Sequence, residues 1–407
     1  MALTRSLKKL VVFTTVGAAF WLFQGGNAKA SYQLTQTYTG SSPGDSFGDS
    51  VALDGNNVLI GAYGVPGTYR GAAYLYNTSG TLLQTYTEQS PSSGDQFGSS
   101  VALNGNNVLI GAYGVPGTYR GAAYLYNTSG TLLQTYSGSS NRDYFGYSVA
   151  LNGNNVLIGA VGVPGTFQGA AYLYNTSGTL LQTFTDPSSG NGDEFGYSVA
   201  LNGNNVLIGA KGGNGGQGAA YLYDTSGTLL QTFTDPSSGN GDEFGYSVAL
   251  NGNNVLIGSG GVPDGNSQGA AYLYNTSGHL LQTFTDPSST NFDSFGISVA
   301  LDGNNVLIGA GGVPGGNSQG AAYLYNTSGT LLQTFNGSSN NDVFGISVAL
   351  NGNNALIGAY GVNGSQGAAY LYQEVPEPSN LMAVGLLLGL RLTFSYLKRS
   401  QESGDRR

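Results

Sequence analysis

The dipeptide Phe-Gly recurs seven times, at Phe47, Phe97, Phe145, Phe195, Phe244, Phe295 and Phe344, at intervals of 48–51 residues. A fixed period of that length means a repeat architecture, in which each unit buries its apolar surface against its neighbours. Residues 145–184 are representative: Phe-Gly-Tyr-Ser-Val-Ala-Leu, Asn-Gly, Asn-Asn-Val-Leu-Ile-Gly-Ala, a variable loop, Gly-Ala-Ala-Tyr-Leu-Tyr, Asn-Thr-Ser-Gly and Thr-Leu-Leu-Gln-Thr-Phe. The apolar runs are short and rich in Val, Ile, Leu and Tyr, which predicts four strands per unit. Asn-Gly between the first two strands predicts a tight type I′ hairpin.

Four-stranded units repeated seven times suit radially packed propeller blades better than the shorter coils of a β-helix. The last unit stops after Tyr370-Leu371-Tyr372 and lacks a fourth strand. Residues 31–38 match the fourth-strand sequence at 81–86, with Leu34 on Leu82, Gln36 on Gln84 and Tyr38 on Tyr86. The first strand is therefore predicted to complete the last blade, an arrangement that pins a ring shut. The expected fold is all-β, a closed seven-bladed β-propeller of four-stranded blades over residues 31–374. A signal peptide, 1–30, and a sorting segment with a hydrophobic helix, 375–407, flank it.

The first thirty residues carry Arg5, Lys8 and Lys9, a 14-residue apolar run at 10–23, and Ala28-Lys29-Ala30. That is the pattern of a secretory signal peptide cut by signal peptidase between Ala30 and Ser31. The run is shorter than the roughly 20 residues that span a bilayer. The other end reads Val375-Pro376-Glu377-Pro378-Ser379, then a mostly apolar stretch at 381–397, then Lys398-Arg399. It resembles the PEP-CTERM sorting signal of bacterial surface proteins. The resemblance implies an exosortase-type enzyme acting at Pro376, Glu377 and Pro378, a transmembrane helix after them, and a protein membrane-anchored first and at the cell surface or extracellular after processing.

The repeat itself resembles the FG-GAP family, through Phe195-Gly196, Gly209-Ala210 and Gly218-Ala219-Ala220-Tyr221 and their equivalents in all seven units. Integrin members of that family form seven-bladed propellers, and many hold calcium in a long acidic loop between the first two strands. Here that loop is Asn202-Gly203-Asn204-Asn205 or its equivalent, too poor in oxygen ligands to carry calcium over. No cofactor and no metal are expected.

Composition narrows the chemistry further. There is no Cys and a single His, so thiol nucleophiles, disulfides and His-rich metal sites are excluded. Residues 31–374 contain 19 acidic and 4 basic side chains, a net of −15, which would repel a nucleic-acid backbone. The hairpin turns are nearly uniform, whereas the loops after the second strands vary in length and chemistry. Uniform turns read as scaffold and variable loops as function.

Tyr63, Tyr69 and Arg70, repeated as Tyr113, Tyr119 and Arg120, set aromatic rings beside a planar donor in two adjacent loops. They are the ligand-binding candidates, because Tyr offers a flat apolar face with a hydrogen-bonding tip suited to a sugar ring or a protein epitope. Asp45, Asp95, Asp143, Asp193, Asp242, Asp293 and Asp342 each stand two residues before Phe-Gly. Sevenfold recurrence favours a turn role for them, as acceptors of backbone N–H groups. The alternative is cation binding, where Asp186, Asn191, Asp193 and Glu194 fall in one loop, as do Asp235, Asn240, Asp242 and Glu243. No residue pair stands apart from the repeat as a catalytic acid and base. The expected function is non-enzymatic binding of an extracellular glycan or surface protein, within an exopolysaccharide matrix as the sorting resemblance implies. The alternatives are a purely structural matrix component and a carbohydrate-active hydrolase or lyase.

Overall fold

The computed structural model describes residues 31–375 except 65–70, 89–93, 115–118, 141, 163–167, 189–191, 213–215, 238–242, 261–268, 288–293 and 313–318. Ala30, the sorting motif at Pro376, Glu377 and Pro378, and both hydrophobic end segments lie outside the described residues. Among the described residues no helix is long and apolar enough to cross a membrane.

Blade one is the antiparallel sheet β2 (Phe47–Asp54), β3 (Asn57–Ala62), β4 (Ala72–Asn77) and β5 (Leu82–Tyr86), in sequence order. Strands β6 to β25, from Ser100 to Asn336, repeat this plan in five more four-stranded blades. The seventh blade contains β26 (Val348–Asn351), β27 (Asn354–Ala359) and β28 (Ala368–Val375), and its fourth strand is β1 (Ser31–Thr39). Tyr38 pairs with Ala369 and Ser31 with Val375. The sequence match that placed the N-terminal strand on the last blade is thus realised residue by residue. First strands of adjacent blades touch around the whole ring, including β2 with β26.

The core is divided into seams between blades. In one seam Leu157, Leu173 and Phe184 of blade three pack on Phe195, Val206, Ile208 and Tyr221 of blade four. The closing seam sets Tyr38, Leu356 and Leu371 against Phe47, Val58 and Ile60. Every second strand reads as a continuous apolar run because a neighbouring blade covers each of its faces; Val156, Leu157 and Ile158 are fully buried. Burying each Phe of Phe-Gly contributes roughly 1.5–3 kcal/mol.

Hydrogen bonds cross the same seams. Ser148 Oγ donates to the Gly196 carbonyl at 2.8 Å, and equivalent bonds run Ser198 to Gly245, Ser247 to Gly296 and Ser298 to Gly345. On the hairpin face the side chain before the turn Gly accepts the turn Gly N–H of the next blade at six seams, as when Asn104 Oδ1 receives Gly153 N–H at 2.9 Å. At the seventh, Asn251 Nδ2 donates to Asp302 Oδ1. The hairpin differs in type from the sequence expectation. Asn104 pairs with Asn107, so the turn residues are Gly105 and Asn106, of which Gly105 alone has positive φ, at 57°. This is the type II′ pattern with Gly first, and it frees the preceding Asn side chain for the seam.

Candidate ligand site at the axial mouth

Phe-Gly is the local device that builds the site. In blade three Phe145 pairs with Ala160 and Ser148 with Gly159, which leaves Gly146 and Tyr147 outside the ladder. Blades four to six share this bulge. A bulge bends its strand and re-aims a side chain. Gly146 has φ 87°, and a Cβ there would lie 2.2 Å from the Ala122 carbonyl oxygen of the neighbouring blade, so no other residue fits. The residue after Gly is turned toward the ring axis. Tyr147, Tyr197 and Tyr246, from three successive blades, stand ring to ring at 4.9 Å for each neighbouring pair.

Tyr147 and Tyr246 belong to a cavity of about 280 Å³ lined also by Asp49, Ser99, Ile297 and Ile346, from the inner edges of six blades. Tyr63 and Tyr113, just past second strands, complete the lining. Side chains from six blades can share one cavity only on the axis. It therefore forms a mouth at the end of the ring that carries the variable loops.

A second tier comes from the residue before Phe-Gly. Ser46, Gln96, Tyr144, Glu194, Glu243, Ser294 and Val343 all have φ between 50° and 54°. The left-handed region costs an ordinary residue roughly 1–2 kcal/mol and is least tolerated by a β-branched one such as Val343. Gly would avoid that cost, yet the seven positions hold five kinds of side chain. Several reach the mouth. Glu194 and Glu243 lie 3.4 and 3.6 Å from Lys211 Nζ, which itself sits 4.2 Å from the Tyr197 ring centre and 5.3 Å from that of Tyr246. Ser46 and Gln96 hydrogen-bond Tyr63 and Tyr113.

The electrostatics follow from enclosure. Asp49 is surrounded by protein although part of it still meets solvent in the mouth, and burial pushes its carboxyl up to about 7. Burial, then the Asp49 charge, raises the hydroxyls of Tyr63, Tyr113 and Tyr360. The mouth thus offers neutral phenols, aromatic faces and one readily protonated carboxyl, with its Lys already held between two carboxylates.

Seven segments, 38–76, 87–126, 135–174, 179–223, 228–274, 281–325 and 335–372, match the family model of the FG-GAP repeat. The chain belongs to the FG-GAP repeat family. The first segment runs from the outer strand of the last blade through the third strand of blade one, so an FG-GAP repeat here spans a seam as well as a blade. No protein of curated function matches the chain.

The FG-GAP propeller divides the sequence-predicted candidates. Tyr63 and Tyr113 line the mouth. Tyr119 and Arg120 lie exposed on the same face, with the Tyr119 ring 5.5 Å from Tyr144, whose ring is 6.4 Å from Tyr113. Tyr69 and Arg70 lie outside the described residues. Asp45 accepts bonds from Ser41 N, Ser41 Oγ and Ser42 N at 2.7–2.9 Å, and Asp342 from Ser338 N, Ser338 Oγ and Ser339 N at 2.8–3.0 Å. Asp143 receives Ser140 N and Ser139 Oγ, and Asp193 receives Ser188 Oγ. Asp95 is buried beside Glu88, while Asp242 and Asp293 lie outside the described residues. Among the described residues no group of three or more His, Cys, Asp or Glu is arranged to hold a metal ion. The two positions flanking Phe-Gly were missed as site residues from sequence. Their signal was present, since both vary within an otherwise uniform repeat.

Proposed function

We propose that this FG-GAP propeller is an exported, surface-sorted binding protein that takes an extracellular glycan or surface protein at its axial mouth and performs no catalysis. The observation that carries the reading is the convergence of the repeat's varied positions on that mouth. An FG-GAP propeller in itself points to a binding or structural role. The faces of Tyr147 and Tyr246 in the mouth favour a sugar ring, which stacks on flat apolar faces while hydroxyls bond the rim. Asp49, Glu194 and Glu243 outnumber Lys211, so a neutral glycan is favoured over a uronate or sulfated one. Asp49 is the one carboxyl among the cavity-lining residues, whereas glycosidic cleavage ordinarily uses two.

Export rests on the basic, apolar and Ala-x-Ala pattern of residues 1–30, with signal peptidase as the first partner. Surface sorting rests on the Pro376-Glu377-Pro378 motif, the apolar stretch and Lys398-Arg399, with membrane anchoring and an exosortase-type enzyme to follow. An array of neutral and acidic oligosaccharides probed with the intact protein tests the ligand. The expected result is binding of neutral glycans, lowered at least tenfold by Tyr246→Ala. Equal binding by that variant would move the site off the axis.

A further inference from the structure

Each blade ends in an outer strand with one edge paired to the third strand and the other paired with no strand of the ring, although on β1 the Gln333 side chain of the neighbouring blade takes the Tyr32 N–H and C=O. Natural edge strands are usually guarded by Lys, Pro or inward charges against pairing with another chain. Here the outer strands read Leu-Leu-Gln-Thr-Tyr or Leu-Leu-Gln-Thr-Phe, and β1 reads Ser-Tyr-Gln-Leu-Thr-Gln-Thr-Tyr-Thr; none contains a charged residue or Pro. A bulge at the start of the strand, where Tyr76 pairs with Leu82 but Leu75 with Gln84, breaks the in–out alternation. Both Leu82 and Leu83 are consequently about half exposed, at 49% and 48%. Ten of the eleven exposed large apolar residues among the described ones are leucines of these strands.

Charge says what covers them. The described charges sit at the mouth, in the inter-blade loops or at the hairpin tips, and residues 31–374 are strongly acidic. Two copies approaching face to face repel one another, whereas rim to rim they meet through uncharged strands of the same sequence. Identical antiparallel edges are self-complementary about a two-fold axis. We infer that the outer strands pair with those of further copies of this chain, Leu against Leu, joining propellers rim to rim into a lateral array. Four half-exposed leucines fall well short of the roughly 1,200–2,000 Å² of a stable interface, so one rim contact is weak. Several edges per ring supply the avidity that holds the array. The inference is independent of what the axial mouth binds.

The absence of Cys provides a clean reporter. Thr85, Thr135, Thr183, Thr232 and Thr283 are exposed on outer strands, and Ser79, Ser129, Ser177, Ser226 and Ser277 are exposed at hairpin tips. Each set is changed to Cys in the full chain, in the cells that make it, and treated with a short bismaleimide. The rim set is expected to give a ladder of dimers and larger species, and the hairpin set monomer. Adding Leu83→Lys, Leu133→Lys, Leu181→Lys, Leu230→Lys and Leu281→Lys should abolish the ladder while protease resistance persists. Equal cross-linking by the two sets, or a ladder that survives the lysines, would overturn the inference. So would rim cysteines that give no ladder but become reactive to a water-soluble maleimide only after membrane extraction, since lipid would then be the occupant.

Discussion

Ser347 Oγ donates a 2.8 Å hydrogen bond to the carbonyl of Gly48, 299 residues earlier in the chain. It is the same seam bond that links Ser148 to Gly196, made here between the last blade and the first. Tyr38 reinforces the closure: it belongs to the last blade through β1, yet its hydroxyl bonds the Asn77 carbonyl of blade one at 3.0 Å and its ring lies 4.8 Å from that of Tyr76. Tyr38→Ala should therefore destabilise the ring by about 3–5 kcal/mol, the cost of deleting a buried aromatic. Denaturant unfolding followed by tyrosine fluorescence and circular dichroism checks this, and a midpoint equal to wild type would mean the seam is not closed by β1.

The left-handed residues before Phe-Gly make the opposite forecast. Ser294 has φ 51° and a small side chain, so Ser294→Gly relieves backbone strain at little loss of packing. A gain of about 0.5–1 kcal/mol is expected, after the greater unfolded-state freedom of Gly is subtracted. The neighbouring Gly gives the contrast. Gly296→Ala would set a Cβ 2.2 Å from the Ala270 carbonyl oxygen at φ 91°, and should be strongly destabilising. Thermal melts of the two variants side by side decide whether strain at this tier is retained for its side chains.

The ring was legible because Leu34, Gln36 and Tyr38 repeat a pattern that the last unit lacks, and register follows from such a match. The Asn-Thr-Ser-Gly segment was also readable as a turn: Asn77 Oδ1 accepts Ser79 Oγ and Thr81 N at 2.8 Å. What escaped was direction. Strand alternation places Tyr147 without saying that the Gly146 bulge turns it to the axis, so Tyr147, Tyr197 and Tyr246 read as ordinary strand aromatics. Tyr63 and Tyr113 were found because they lie in loops, where variation is conspicuous. The II′ turn is hidden for a related reason, since the Asn of Asn-Gly closes the strand pairing and the turn itself begins at Gly.

Lys211 tests the balance of charge at the mouth. It bridges Glu194 of its own blade and Glu243 of the next, and all three side chains are at least two-thirds buried. Lys211→Met leaves two carboxylates facing aromatic rings without a cation. The loss should be about 1–3 kcal/mol, between the values for exposed and fully buried pairs. Adding Glu194→Gln and Glu243→Gln should restore most of it. A double-mutant cycle on unfolding midpoints measures the coupling, and a triple variant no more stable than Lys211→Met would show that packing of the Lys stem on Tyr197 dominates.

Acidity should stabilise this protein, against the usual behaviour of carboxylates. Burial raises Asp49 to about 7, and burial, then the neighbouring Asp95 and Asp193, raises Glu88 and Asp186. A carboxyl raised in the folded state binds its proton more tightly there than in the unfolded chain, where it titrates near 4. Between about 4 and 7 the folded state therefore holds more protons, and stability falls as pH rises through that window. Asp224, lowered by bonds from Ser226 and Thr228, acts in the other direction only below about 4. The denaturation midpoint should be higher at pH 5 than at pH 8. Asp49→Asn should make the fall toward neutrality shallower without abolishing it, because Glu88 is also raised to about 7 and Asp186 to about 6; a profile that rises toward pH 8 would contradict the enclosure of these carboxyls.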